Sequence, residues 1–113
     1  MTDPHSYLTP QAFQILLSLA DGRELHGYAI IGDVAERTSN EIRLTASTLY
    51  AAIKRMLDAG LIAEVDAPAE SGGAPRRCYR ITGIGRRVAR REAGRLERTV
   101  AMARDKRLLP RKT

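Results

Sequence analysis

Between residues 44 and 62 the apolar positions recur at helical spacing. Leu49, Ile53, Met56 and Leu57 fall on one stripe. Ser47, Ala51, Lys54 and Asp58 fall on the opposite face, flanked by Thr48, Tyr50 and Arg55. Thr45 is suited to cap the start, because its hydroxyl accepts a free amide of the first turn. Gly60 is suited to the left-handed conformation that ends a helix. The pattern predicts one amphipathic helix with a buried stripe and a polar, cationic outer face. Upstream, Thr9-Pro10 predicts another helix start, with proline at the first helical position. Phe13, Leu16, Leu17 and Ala20 form its first stripe, and Ile15 and Leu19 a second on another face. A helix apolar on two sides needs two surfaces to pack against. One is the domain core and the other is expected to be a second subunit. Asp21-Gly22 closes this helix. The next runs from His26 or Gly27 to Arg37, with Tyr28, Ile30, Ile31 and Val34 turned inward. Thr38-Ser39-Asn40 forms the turn after it.

Behind the third helix the period changes. Residues 61–65 are short and apolar-rich, as in a strand. Residues 66–75 hold two prolines and two glycines, which predicts a loop with Gly72-Gly73 at its tip. Residues 76–81 resume a strand in which Tyr79 and Ile81 alternate with Cys78 and Arg80. A two-strand ribbon carrying Arg76, Arg77 and Arg80 therefore leaves the third helix. Helix, helix, turn, helix, basic hairpin is the order of a winged helix-turn-helix. In that geometry the third helix enters the major groove of DNA. The plainer alternative is an ordinary surface helix, with arginines that only discourage strand pairing.

The last helix begins at Thr82 and its pattern continues to about Leu108. Ile84, Val88, Ala89, Ala93, Leu96, Val100 and Ala103 make an apolar seam between arginines. A helix of that length cannot bury its seam on so small a domain, so it is expected to dimerise. The alternative is a seam folded back on the first helix. Gly94 costs on the order of 1 kcal/mol inside a helix relative to alanine, and with Ala89 and Ala93 it leaves room for close helix approach.

Taken as a set, several segments resemble the PadR family of bacterial transcriptional regulators. They are LTPQAFQILLSLADG, LHGYAI, RLTASTLYAAIKRMLDAGLI, RRCYRITGIGRR and RLLP. The likeness runs from about residue 8 to residue 110. HGY opens the second helix, TLY lies in the third, GLI enters the wing and YRIT-x-x-G leaves it. The resemblance implies a winged-helix DNA-binding domain, a dimer made largely by the C-terminal helix, and repression of nearby genes. It is to the short members, with a single C-terminal helix. Cys78 departs from the pattern, since an aromatic often stands there.

Composition narrows the function classes. A chain of 113 residues reads as one domain's worth of sequence with a small core. No apolar run is long enough to cross a membrane, and no signal peptide or internal repeat is expected. The single cysteine excludes a disulfide framework within the chain. His5, His26 and Cys78 lack zinc-site spacing. No nucleophile-base pair, carboxylate pair or phosphate loop is present, so neither catalysis, metal nor cofactor is expected. The net charge of +6 is uneven. Residues 1–82 carry eight Lys or Arg and ten Asp or Glu, a balance of −2. Residues 83–113 carry eleven and three, a balance of +8. The basic excess thus lies in the last helix, where it either widens a field that attracts DNA or pairs with acidic residues across a dimer.

The expected fold is mainly α with a small β-hairpin: a winged helix-turn-helix over residues 1–82 and a dimerisation helix with a basic tail over 83–113. Expected DNA contacts are Thr45, Ser47, Thr48, Tyr50, Lys54 and Arg55 from the helix, and Arg76, Arg77 and Arg80 from the wing. Amides at Thr45 and Gly27 are suited to phosphates. Expected dimer residues are Phe13, Ile15, Leu19, Val88, Ala89, Ala93, Leu96, Val100 and Ala103. The partners are a double-stranded DNA operator and a second copy, with no membrane. Room for a small-molecule effector is expected between the last helices and the DNA-binding domains, and no polar constellation identifies it. The expected location is the bacterial cytoplasm, at the nucleoid. The competing function is a winged-helix protein-interaction module that binds no DNA. An acidic or apolar third helix would mark that module.

Overall fold

The computed structural model describes residues 8–67 and 76–110. Four capped helices and three short strands follow one another in it. Helix α1 spans Pro10–Leu19, α2 Gly27–Arg37, α3 Ala46–Asp58 and α4 Gly83–Asp105. Strand β1 is Leu25–His26, β2 Ile62–Ala67 and β3 Arg76–Ile81. Thr9, Thr45 and Thr82 each accept the amide three residues on, from Ala12, Thr48 and Gly85. His26 caps α2 in the same way, its Nδ1 accepting the Ala29 amide at 3.3 Å. Such caps remove donors that the first helical turn leaves unpaired. Gly60, at φ +75°, turns the chain out of α3 into β2.

The expected ribbon is a three-stranded antiparallel sheet in the order β1-β3-β2. β1 was not legible as a strand, because two residues have no period. It pairs Leu25 with Tyr79 and His26 with Cys78. Strand β3 is therefore central, and Cys78 and Tyr79 are both buried. The alternation expected for a half-exposed strand fails at Cys78 for that reason. Strand β2 runs to Ala67 rather than ending at Val65, with Asp66 opposite Arg77 and Ala67 opposite Arg76. The rest of the predicted loop, residues 68–75 with the Gly72-Gly73 tip, lies outside the described residues.

Ile15, Leu16, Leu19, Ile30, Val34 and Leu49 are fully enclosed at the centre of the core. Ile15 and Leu19 had been expected to face a second subunit. Instead Ile15 and Leu19 are consumed within one subunit together with Leu16, between α2, α3, α4 and the sheet. Phe13 is half-buried, and Leu17, which the pattern had turned inward, is 39% exposed. Tyr28 corrects the reading of α2: it is 70% exposed, while Ile30 and Val34 face the core. In α3 the buried stripe is Leu49, Ala52, Ile53 and Met56, with Leu57 half-buried at its edge.

A polar strap fastens α1 to α2. Arg37 donates to the Gln14 carbonyl at 2.9 Å, to Ser18 Oγ at 2.7 Å and to Asp33 Oδ2 at 2.8 Å. Ser18 is fully buried, and Arg37 supplies its partner. Arg23 reaches the other Asp33 oxygen at 3.2 Å. The Arg37 hydrogen bond holds the Asp33 carboxyl down to about 2, against the opposing effect of burial and with help from Ser18 and Arg23. A depressed carboxyl stabilises the fold above its unfolded value and loses that contribution as pH falls through its folded value. Stability is thus expected to drop between about pH 4 and pH 2, by at most about 2 kcal/mol from this group. Asp33→Asn should lose that amount at pH 7 and flatten the acid limb in urea titrations. An unchanged acid limb would show that the strap does not carry the effect.

Helix α4 starts inside the domain. Thr82 Oγ1 donates to the Gly60 carbonyl at 2.6 Å and its amide to the Leu61 carbonyl at 3.1 Å. Gly85 lies so close that an added Cβ would collide with the Leu61 carbonyl oxygen. Arg86 donates to the Ala20 carbonyl at 2.8 Å and so closes the end of α1. Only Gly85 and Val88 of α4 are buried. Val88 is enclosed at 9% exposure and Ala89 packs beside it, so much of both is already used within the subunit. Beyond them Ala93 and Val100 are exposed and Leu96 and Ala103 half-buried, with Met102 at 58% exposure. The helix ends at Asp105, short of Leu108. Arg107 then turns left-handed and the Leu108 amide returns to the Ala103 carbonyl at 2.9 Å. At about 1.5 Å per residue the 23-residue α4 is about 35 Å long.

Candidate nucleic-acid interface

Burial of one stripe of α3 forces the other face outward. Thr45, Ser47, Thr48, Tyr50, Lys54 and Arg55 are all exposed. At the helix start Thr45 Oγ1 accepts the Thr48 amide at 3.2 Å and donates to Thr48 Oγ1 at 2.9 Å. The hydroxyls of Thr45 and Ser47 are 3.4 Å apart. This leaves a cluster of short donors and acceptors at the positive end of a helix dipole, followed about two turns later by two cations, Lys54 and Arg55.

Tyr50 leans from α3 over the start of α2. A Cβ on Gly27 would run into its hydroxyl and would stand 2.8 Å from its Cζ. The glycine of HGY is thus a close-approach residue: only hydrogen fits beneath the ring. Tyr28 stands exposed beside it. Together His26, Gly27, Tyr28, Tyr50, Arg77 and Tyr79 line a cleft of about 600 Å³. The sequence pattern missed Tyr28, which its spacing placed on the inner stripe, and it missed Tyr79 as part of any surface. Arg43, on the approach to α3, is another exposed cation that the pattern did not single out.

The wing arginines separate by strand parity. Residues 77, 79 and 81 share one face of β3, and 78 and 80 the other. Arg77 is therefore on the cleft side, 75% exposed and 3.2 Å from Glu64 Oε1. Arg80 is exposed on the opposite face, across from Ala63. Arg76 starts the strand, across from Ala67. The structure thus brings Arg77 together with Tyr50 and leaves Arg80 on the other side of the sheet.

A second cleft, of about 270 Å³ and largely apolar, lies between Leu8, Ala12, Ala52, Met56 and Leu61. No residue of α4 lines it, unlike the effector space expected from the sequence. Among the described residues no three His, Cys, Asp or Glu are grouped as metal ligands, and no described helix is long and apolar enough to cross a membrane.

Residues 15–91 match the model of the transcriptional regulator PadR-like family. The chain belongs to the PadR-like family. Its members are transcriptional regulators and not enzymes. Among solved structures, a PadR family transcription regulator from Clostridium difficile R20291 superposes with a TM-score of 0.69 at 26% identity, over 82% of this chain and 95% of that one. Bacillus subtilis PadR, solved in complex with operator DNA, shares the fold with a TM-score of 0.63 at 23% identity, over 72% of this chain and 45% of that one. An uncharacterized protein X of Lysinibacillus sphaericus is 32% identical over 72 residues, which are 64% of this chain and 65% of that protein. The winged-helix PadR fold is thereby established for this sequence.

Proposed function

We propose that this PadR-like chain is a homodimeric repressor that binds an inverted-repeat operator in the bacterial cytoplasm. The observation that carries the reading is the exposed face of α3, where Ser47, Thr48, Tyr50, Lys54 and Arg55 stand clear of a stripe wholly used by the core. Residues up to 82 form the DNA-binding part, and α4 with the basic tail joins two copies. Half-sites then lie roughly 34 Å apart, one helical turn of DNA. Thr48 and Tyr50 read base edges, Lys54 and Arg55 reach the groove or its phosphates, and Thr45 supports the helix start. Arg77, with Arg76 and Arg80 on the wing, grips the backbone. The operator complex of the B. subtilis relative supports a DNA partner. A small-molecule effector remains part of the proposal without an identified chemistry.

The test separates base reading from backbone attachment. A base contact discriminates by about 1–3 kcal/mol. A phosphate contact strengthens binding to any sequence and adds roughly −0.9 to the salt slope. Arg77→Ala is expected to weaken operator and random duplex by similar factors and to flatten the salt slope by about two per dimer. Thr48→Ala is expected to cost operator affinity and leave random-duplex binding nearly unchanged. Affinities for both duplexes at several salt concentrations check both. An operator-only loss for Arg77→Ala, or equal losses for Thr48→Ala, would overturn the division of labour. Binding to no duplex would leave a protein-interaction module in its place.

A further inference from the structure

The cleft at the start of α2 holds a buried polar group that the fold does not use. Tyr79 is 4% exposed and lines this cleft. Its hydroxyl has no hydrogen-bond partner among the described residues. Buried hydroxyls are normally paired, and an unpaired one costs free energy. Around it are the exposed hydroxyl-bearing rings of Tyr28 and Tyr50, the guanidinium of Arg77, and the positive end of the α2 dipole. The phenol and guanidinium can donate to an anion. Glu64 is the opposing charge, 3.2 Å from Arg77.

We propose that this cleft seats one backbone phosphate of the bound duplex, with the Tyr79 hydroxyl donating to it from below. The inference rests on the DNA-binding reading and deepens it. Tyr50 belongs both to the exposed face of α3 and to the cleft wall, so a strand lying along α3 passes the opening. The cleft, at about 600 Å³, is far larger than a single anion needs and suits a phosphodiester entering with its flanking sugars. Burial, followed by the nearby Glu64 and Tyr50, raises the Tyr79 phenol above its ordinary value. It therefore stays protonated and able to donate. Arg77 exchanges part of its pairing with Glu64 for the phosphate when DNA arrives.

The experiment uses the full-length chain and a duplex enriched from random fragments, with single phosphates replaced one at a time by neutral methylphosphonate. In the native protein the seated position in each half-site should lose roughly tenfold in affinity, the scale of one hydrogen bond to a charged group, beside the positions held by the other cations. Tyr79→Phe keeps the ring in the core and removes only the hydroxyl. It should bind the unmodified duplex about tenfold more weakly per subunit and be less sensitive than the native protein at one position per half-site alone, where the Arg77 contact remains. Wild-type affinity in Tyr79→Phe, or a loss in which every position keeps its sensitivity, overturns the phosphate seat and leaves the α3 reading standing. A native protein that binds no duplex overturns both.

Discussion

Placing glutamate at both Leu96 and Val100 is expected to give a folded monomer that binds operator about a hundredfold more weakly, or worse. Neither side chain is needed by its own subunit. Leu96 is half-buried and Val100 is 39% exposed on the part of α4 beyond the core contacts. A charge at either position costs little in the monomer. Between two helices it must be desolvated, and four like charges would meet at a twofold contact. Linking two reading units raises apparent affinity by about 10²–10⁴ without new contacts, and that factor is lost with the dimer. Light scattering measures the mass and anisotropy titration the affinity. A double variant that still weighs two chains would move the interface elsewhere, with the exposed Leu17 of α1 as the next place to look.

The second large effect is on stability. Gly85→Ala is expected to destabilise the fold by about 3 kcal/mol or more, the scale of severe overpacking. The added methyl meets the Leu61 carbonyl, which is backbone and cannot swing aside. That carbonyl accepts the amide of Thr82 at 3.1 Å and lies 3.0 Å from the Thr82 hydroxyl oxygen. Relief of the clash breaks the cap that starts α4 and the turn that starts β2 together. Gly83→Ala is the control, because open space surrounds it. Urea unfolding of the two variants compares them directly. Equal stabilities would mean that the turn yields more easily than its hydrogen bonds imply.

How far the sequence discloses this protein depends on the range of the forces involved. Caps act within three residues, and Thr9, Thr45 and Thr82 were all legible. The outer face of α3 was legible because a single long stripe fixes its rotation. Tyr28 was not, because aromatic residues satisfy an inward pattern as readily as they serve a surface, and only the position of α3 decides between them. The burial of Ile15 and Leu19 within one subunit was hidden for a related reason: periodicity shows that two faces must be covered and not by what. The Arg37 strap joins residues nineteen and twenty-three apart and leaves no local trace. The cleft is the furthest from sequence, since its walls come from α2, α3 and β3, and the glycine beneath Tyr50 is a requirement visible only once the two helices touch.

The pinning of α4 by Thr82, Gly85 and Arg86 has a mechanical consequence. It makes the helix a rigid arm fixed to the wing. A turn of ten degrees at that root sweeps the far end of a 35 Å arm by about 6 Å. With the root locked, a pair of such arms joined at their outer halves, as in the proposed dimer, would act as a caliper, whose opening is set at manufacture and not by the object measured. One base pair more between half-sites moves the target by about 3.4 Å and rotates it around the duplex. The jaws of the proposed dimer would have no joint with which to follow it.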